Sequence, residues 1–303
     1  MSRTPRWTHV SATPDDLLAA GAAGLPASRV VPPAGLYRQL RRSPTAWVGA
    51  GLLLVLVGFA VLAPWLAPAD PFAITGPGLS PPSAGHPFGT DALGRDMYSA
   101  TLRGARVSLL VAVFVAALVL AIGGAVGLVA GYFGGVIDAT LTRITELFQV
   151  LPRFFLAIIV IALFGPGLDR IVLTLGLTSW PTLARVVRGE TRALKGLGFV
   201  RAAEASGAAP ARVLGRELIP NVLPAALVVV GLVVGQVLLL EASLGFLGLG
   251  DPQQLSWGSL AGQAQGFLRV AWWLPLFPGL AITAAVLGFN LLADALTEVL
   301  AGR

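Results

Sequence analysis

Residues 199–224, FVRAAEASGAAPARVLGRELIPNVLP, form a charged, small-residue stretch set between two runs apolar enough to cross a bilayer. A plain loop between spans needs only a turn and a few polar residues. Here Ala202 and Ser206, and Ala203 and Gly207, are i,i+4 pairs, which leaves one helix face nearly bare and open to another backbone. Gly207 suits the end of a first short helix, and Pro210 the first turn of a second. On that second helix Val213, Leu214 and Leu218 gather on one side, while Arg212 and Arg216 stack at i,i+4 on another. Like charges at that spacing weaken an isolated helix, which points to a partner or a lipid surface that tolerates them. On physics alone two readings stand: an amphipathic segment lying on the membrane, or a docking element for another protein.

Composition sets the class. Of 303 residues 55% are hydrophobic and 12% charged, with a mean hydropathy of +0.80, too apolar for a soluble protein of this length. Cysteine is absent, which excludes disulfides and thiolate metal sites. The two histidines, His9 and His86, are far apart, which argues against a metal centre or a Ser–His catalytic pair. The formal charge of +6 could suggest nucleic acid, but the cations sit in loops beside apolar runs, where an anionic leaflet is the natural partner. No G-x-x-x-x-G-K-[ST] occurs, so the chain has no phosphate-cradling loop of that kind.

Six spans can be read, for an all-α membrane protein with six transmembrane helices. The first, Trp47–Leu66, carries no charge and has a Trp near each end, about 27 Å apart at about 1.5 Å per residue. It is too long for a signal-peptide core and follows an Arg- and Pro-containing segment, so it reads as an uncleaved anchor. The others are about Val107–Ala130, with Gly123, Gly124 and Gly127 as a close-packing face; Thr142–Phe164, kinked at Pro152; Ile171–Val187; Asn221–Leu244; and Leu274–Leu296. The domain reading is a flexible cytoplasmic segment 1–44, an anchor 45–67, an extracytoplasmic loop 68–106 that ends in an interfacial helix from Met97, and a five-helix core 107–300 with its loop at 188–221. With the N-terminus inside, fifteen Lys and Arg fall on the cytoplasmic side against five outside, and Arg153 lies within a span. Both termini are then cytoplasmic, in a multi-pass protein of the bacterial plasma (inner) membrane.

Two outer segments add detail. In His86–Asp96, Gly89 and Gly94 permit positive φ, and Thr90 and Asp96 can cap helix starts. The glycines of Glu241–Gly250 suit tight turns or a re-entrant segment, and Trp257, Trp272 and Trp273 suit an interfacial belt.

The blocks HPFGTDALGRD, GARVSL, GYFGGVID, SWPTLARVVRGE, VRAAEASGA and EASLGFLGLG occur in that order. Together they resemble the permease subunits of bacterial ABC importers for dipeptides, oligopeptides and nickel, the subunit type that carries the GTD–GRD stretch. The likeness runs from about Arg41 to about Thr297. It implies that the loop forms coupling helices docking in a cleft of an ATP-binding subunit, through Arg201, Ala202, Ala203, Glu204, Ser206, Gly207, Ala208, Arg212 and Pro220. In that family the loop begins Glu-Ala-Ala, with a Gly six positions after the Glu and a Pro thirteen after the Gly. Ala202, Ala203, Gly207 and Pro220 match in spacing, but Arg201 replaces the acidic residue, and Glu204 is the nearest carboxylate to take its place. The ending LTEVLAGR also departs from the family's Asp-Pro-Arg-like end. The resemblance further implies a second permease, two ATP-binding subunits that hold ATP and Mg, and an extracytoplasmic substrate-binding protein. On this chain it implies no cofactor, no metal and no catalytic residue.

Polar residues within spans are candidates for the translocation path. Glu146, Gln149 and Arg153 share a face of the third span, where an interfacial pair reaching toward water is the simpler reading. Asn290, Asp294 and Glu298 stripe the end of the sixth. Gln236 and Glu241 are the pathway candidates. A stand-alone, ion-coupled secondary transporter is the alternative, but it would show internal repeats and ionisable midplane residues that are not evident here. An intramembrane enzyme lacks a catalytic pair.

Overall fold

The computed structural model describes residues 40–67 and 69–300. Most of the expected 1–44 segment lies outside them. Among the described residues the chain is helical, with two isolated bridges and no strand. The helices are α1 (Pro44–Leu66), α2 (Met97–Phe133), α3 (Gly135–Val150), α4 (Arg153–Phe164), α5 (Leu168–Lys195), α6 (Gly198–Ala205), α7 (Pro210–Arg212), α8 (Ile219–Phe246), α9 (Trp257–Gln263) and α10 (Trp273–Leu300). A π-helical turn, Val213–Leu218, joins α7 to α8, so that 210–246 is one continuous helical run.

Helix starts follow local chemistry. The Ser43 hydroxyl accepts the Ala46 N–H at 3.3 Å with Pro44 in the first turn of α1, and Asp96 accepts the Ser99 N–H at 2.8 Å to start α2. Asp96 thus caps as expected. Thr90 does not cap a helix: it is buried, accepts the Ser80 N–H at 2.9 Å and donates to the Pro77 carbonyl at 2.7 Å. No separate interfacial helix precedes the second span. Met97–Phe133 is one helix of 37 residues, because nothing near residue 106 breaks it. At about 1.5 Å per residue it reaches beyond the roughly 30 Å hydrocarbon core.

The expectation of six spans is met in part. Four runs are long and apolar enough to cross a membrane: α1, α2, Pro210–Phe246 and α10. A fifth is the α3–α4 pair, bent by 75° at Leu151-Pro152, a sharper break than the expected kink. The bend also separates Glu146 and Gln149 from Arg153. Glu146 pairs with Arg143 at 3.0 Å on the surface, whereas Arg153 donates to Thr182 at 3.0 Å. Helix α5 falls short on apolarity, since it carries Arg185, Arg188, Glu190, Arg192 and Lys195 besides buried Thr174, Thr178, Ser179 and Thr191. It also continues to Lys195, which shortens the expected 188–221 loop.

The α2–α5 seam is the tightest packing. A Cβ at Gly123 would lie 2.7 Å from the Trp180 carbonyl oxygen, at Gly127 2.6 Å from that of Ala184, and at Gly131 2.6 Å from Thr191 Cβ. These glycines recur every four residues, so the two backbones touch along one stripe. Gly124, expected in that face, has nothing within 4 Å; Gly131 takes its place. The partners rise together in number, so α2 and α5 run parallel. Gly231 meets Ala293 and Gly235 meets Asn290, while Gly49 meets Leu292 and Gly288 meets Leu53. Helix α10 is therefore antiparallel to both α8 and α1. The start of α1, the ends of α2, α5 and α10, and the start of α8 all lie at one end of the bundle, the end that carries 196–218.

Candidate functional site

The loop residues separate into an anchored side and a bare side. Val200, Val213 and Leu218 are fully buried and join the core that contains Tyr132, Leu194 and Val222. Arg201, Ala202, Glu204, Ala205, Ser206, Gly207, Ala209, Pro210, Ala211 and Arg212 are exposed, with Ala203 and Ala208 half-buried beneath them. Arg201, Arg212 and Arg216 form no ion pair among the described residues. The tip is thus a patch of small side chains ringed by free cations.

Its shape comes from two local devices. Helix α6 ends with Gly207 at φ 78°, the Gly207 N–H bonded to the Glu204 carbonyl at 2.9 Å and the Ala208 N–H to the Ala203 carbonyl at 3.1 Å. This is a Schellman ending, and it frees the chain to reverse into Pro210. The second device is the π turn. The Ile219 N–H bonds back five residues to the Leu214 carbonyl, and five-residue spacing puts Val213 and Leu218 on one buried face. In an α-helix those two residues would diverge. Pro220 and Pro224, which lack the N–H an α-helix needs, follow this turn without ending the helix.

Neighbouring side chains fix the loop to the bundle. Asp138, buried in the first turn of α3, accepts from both Arg188 and Arg192 of α5, with the Arg188 Nη2 contact at 2.8 Å. A carboxylate in a first turn is favoured by the helix dipole, and the guanidinium pair offsets its burial. Lys195 Nζ donates to the Tyr132 carbonyl at 2.6 Å and sits 4.9 Å over that ring, so it closes the end of α2. The Tyr132 phenol in turn meets the Glu204 carboxylate.

The two pathway candidates part company. Gln236 is exposed and lines a groove of about 440 Å³ with Leu232, Gly235, Val286, Asn290 and Asp294. Glu241 is buried between helices instead. It is 2% exposed, accepts from Ser108 Oγ at 3.2 Å and lies against Ser256, the N-cap of α9. Ser108 also accepts the Trp257 N–H at 3.3 Å. An ionisable side chain at this depth needs such partners, and Glu241 ties α8, α2 and α9 together. Among the described residues no group of His, Cys, Asp and Glu is placed to hold a metal.

Residues 123–303 match the family described as binding-protein-dependent transport system inner membrane component, and 35–84 match the N-terminal TM domain of oligopeptide transport permease C. The chain belongs to this family of ABC-importer permeases. The dipeptide transport system permease DppC of Bacillus subtilis is 38% identical over 268 residues, which cover 87% of this chain and 83% of that protein. The glutathione transport system permease GsiD of Escherichia coli is 36% identical over 267 residues, covering 87% and 88%. Among solved structures the inward-facing MetNI methionine ABC transporter superposes with a TM-score of 0.54 at 20% identity, covering 67% of this chain and 97% of that one. This last likeness concerns the permease fold. The protein is a multi-pass inner-membrane permease subunit of an ATP-driven importer.

Two features escaped the sequence reading. The π turn left a trace in Val213 and Leu218, apolar residues five apart. The Asp138 cluster could have been found from Arg188 and Arg192 at i,i+4 facing a lone acidic residue just past Gly135.

Proposed function

We propose that this chain forms half of the translocation pathway of an importer for di- or oligopeptides, and that residues 196–218 dock on an ATP-binding subunit. The observation that carries the reading is the small, exposed tip around Gly207, followed from Pro210 by a helical run that passes through the π turn into α8 without a break. ATP and Mg bind and react on two partner subunits. Their closing displaces the tip, and α8 passes the displacement to the membrane interior as a rigid-body change. A second permease completes the path, and an extracytoplasmic binding protein delivers the substrate. The loop end is cytoplasmic. In support, Arg185, Arg188, Arg192, Lys195, Arg201, Arg212 and Arg216 gather there, against Arg95, Arg103, Arg106, Arg170 and Arg269 at the other end.

The decisive experiment is Gly207→Leu in the assembled transporter. Its side chain meets open space within the chain but stands where a partner backbone would approach, and a left-handed φ of 78° adds strain. ATP-dependent uptake should fall at least about tenfold, about 1.4 kcal/mol in coupling, with insertion intact. Normal uptake by that variant would remove the docking assignment. Orientation is tested in the naturally cysteine-free chain: cysteines at Ser83 and Gln253 should react with an impermeant reagent in intact cells, and one at Ala208 should not.

A further inference from the structure

The groove between α8 and α10 has a chemistry of its own. Gly231 and Gly235, four residues apart on α8, let α10 come close: added Cβ atoms would lie 3.2 Å from Ala293 Cβ and 3.2 Å from Asn290 Oδ1. That approach brings Gln236 into one open groove with Asn290 and Asp294, 54 and 58 residues further along the chain. None of the three side chains has a hydrogen bond or ion pair among the described residues. No cation lines the groove. Partnerless polar groups on helices apolar enough to span a membrane are costly unless they face water or a ligand. Glu241, five residues beyond Gln236, shows the contrast, since its carboxylate is buried and satisfied.

We infer that this groove is a cation-favouring wall of the translocation path, in which the Asp294 carboxylate receives the protonated amino terminus of a peptide while the Gln236 and Asn290 amides bond its backbone. The inference rests on the reading of the chain as a peptide permease. One carboxylate flanked by two amides suits an ammonium group, which needs a single counter-charge and several acceptors. The antiparallel α8–α10 packing puts Asp294 toward the loop end of the groove, so a peptide entering from the other end would reach the charge after the amides.

The test uses the assembled transporter carrying Gln236→Cys, in which this subunit has no other cysteine. The modified thiol is reacted with a water-soluble ethylammonium methanethiosulfonate and with its ethylsulfonate counterpart during ATP turnover. The cation-to-anion rate ratio should exceed that of a free thiol by about tenfold, and Asp294→Asn should bring it back to within about twofold. An unchanged ratio in Asp294→Asn would overturn the inference. So would a cysteine that resists both reagents, which would make the groove a buried subunit contact, or one that reacts only with a lipid-soluble maleimide, which would make it lipid-facing. Uptake of alanyl-alanine is followed in parallel. Its absence in the unmodified transporter, with the charge preference intact, would count against the peptide reading and leave the lining of the path in place.

Discussion

At the end of the bundle away from the loop, buried polar side chains bond one another across several helices; at the loop end, most polar side chains face outward without partners. In the first region Glu241 accepts from Ser108, Trp257 Nε1 donates to the Thr101 carbonyl at 3.0 Å, and Trp273 Nε1 donates to the Thr90 carbonyl at 3.1 Å. Asp96 adds contacts to Ser99 and to His86 Nδ1 at 2.9 Å. In the second region Arg201, Arg212 and Arg216 are free, while the Asp138 cluster, Lys195 and the Tyr132–Glu204 and Arg143–Glu146 pairs are exceptions. A surface that satisfies itself is finished as a single chain. One that leaves cations and bare backbone exposed is completed by something else.

The comparison breaks most easily at its exception. Asp138→Ala would strip Arg188 of its counter-charge in a half-buried place, at a cost of about 3 kcal/mol or more. Thermal unfolding of the purified chain in detergent should show a lowered midpoint. No change would mean that even this cluster behaves as open surface.

The seam between the two regions comes next. Gly127→Leu would drive a side chain into the Ala184 carbonyl and Val187, both 2.6 Å from its Cβ, and should cost about 1–3 kcal/mol by the same assay. Gly124→Leu, three residues away in open space, should stay within about 0.5 kcal/mol. Equal effects would show that the stripe is misassigned.

Smaller still is Glu241→Gln. The amide keeps an acceptor for Ser108 but loses the charge that strengthens that bond, for about 1 kcal/mol. Uptake should hardly change, because Glu241 is buried and bonded to Ser108; a large loss of uptake with normal stability would place it on the pathway. The smallest effect is expected from Arg212→Gln, within about 0.5 kcal/mol in stability. If that variant abolished uptake while Gly207→Leu did not, the docking contact would be electrostatic and carried by the second short helix.

Much of this was legible in sequence because spans and helix ends are local. Trp47–Leu66, the Asp96 cap, and the Gly207 and Pro210 punctuation each depend on residues a few positions apart. What was missed depends on register between distant segments. Gly124 and Gly131 look equally able to pack until α5 is set against α2. Glu241 and Gln236 look like equal path candidates until Ser108, more than a hundred residues earlier, is found beside one of them. Apolarity alone also says little of α5, whose Arg188 and Arg192 are matched by Asp138 of α3 and whose Thr191 packs at Gly131 of α2, contacts that composition cannot show.

The unbroken run from Pro210 to Phe246 has a mechanical consequence. At about 1.5 Å per residue, Gln236 stands roughly 35–40 Å from Pro210. A tilt of only about 5° about the tip would then sweep Gln236 sideways by about 3 Å, comparable to a water molecule's diameter. On the proposed docking, the helix would work as a lever arm with gain. A small, cheap adjustment at a docked tip would then become a change of bore at mid-membrane, with no residue between altering its fold.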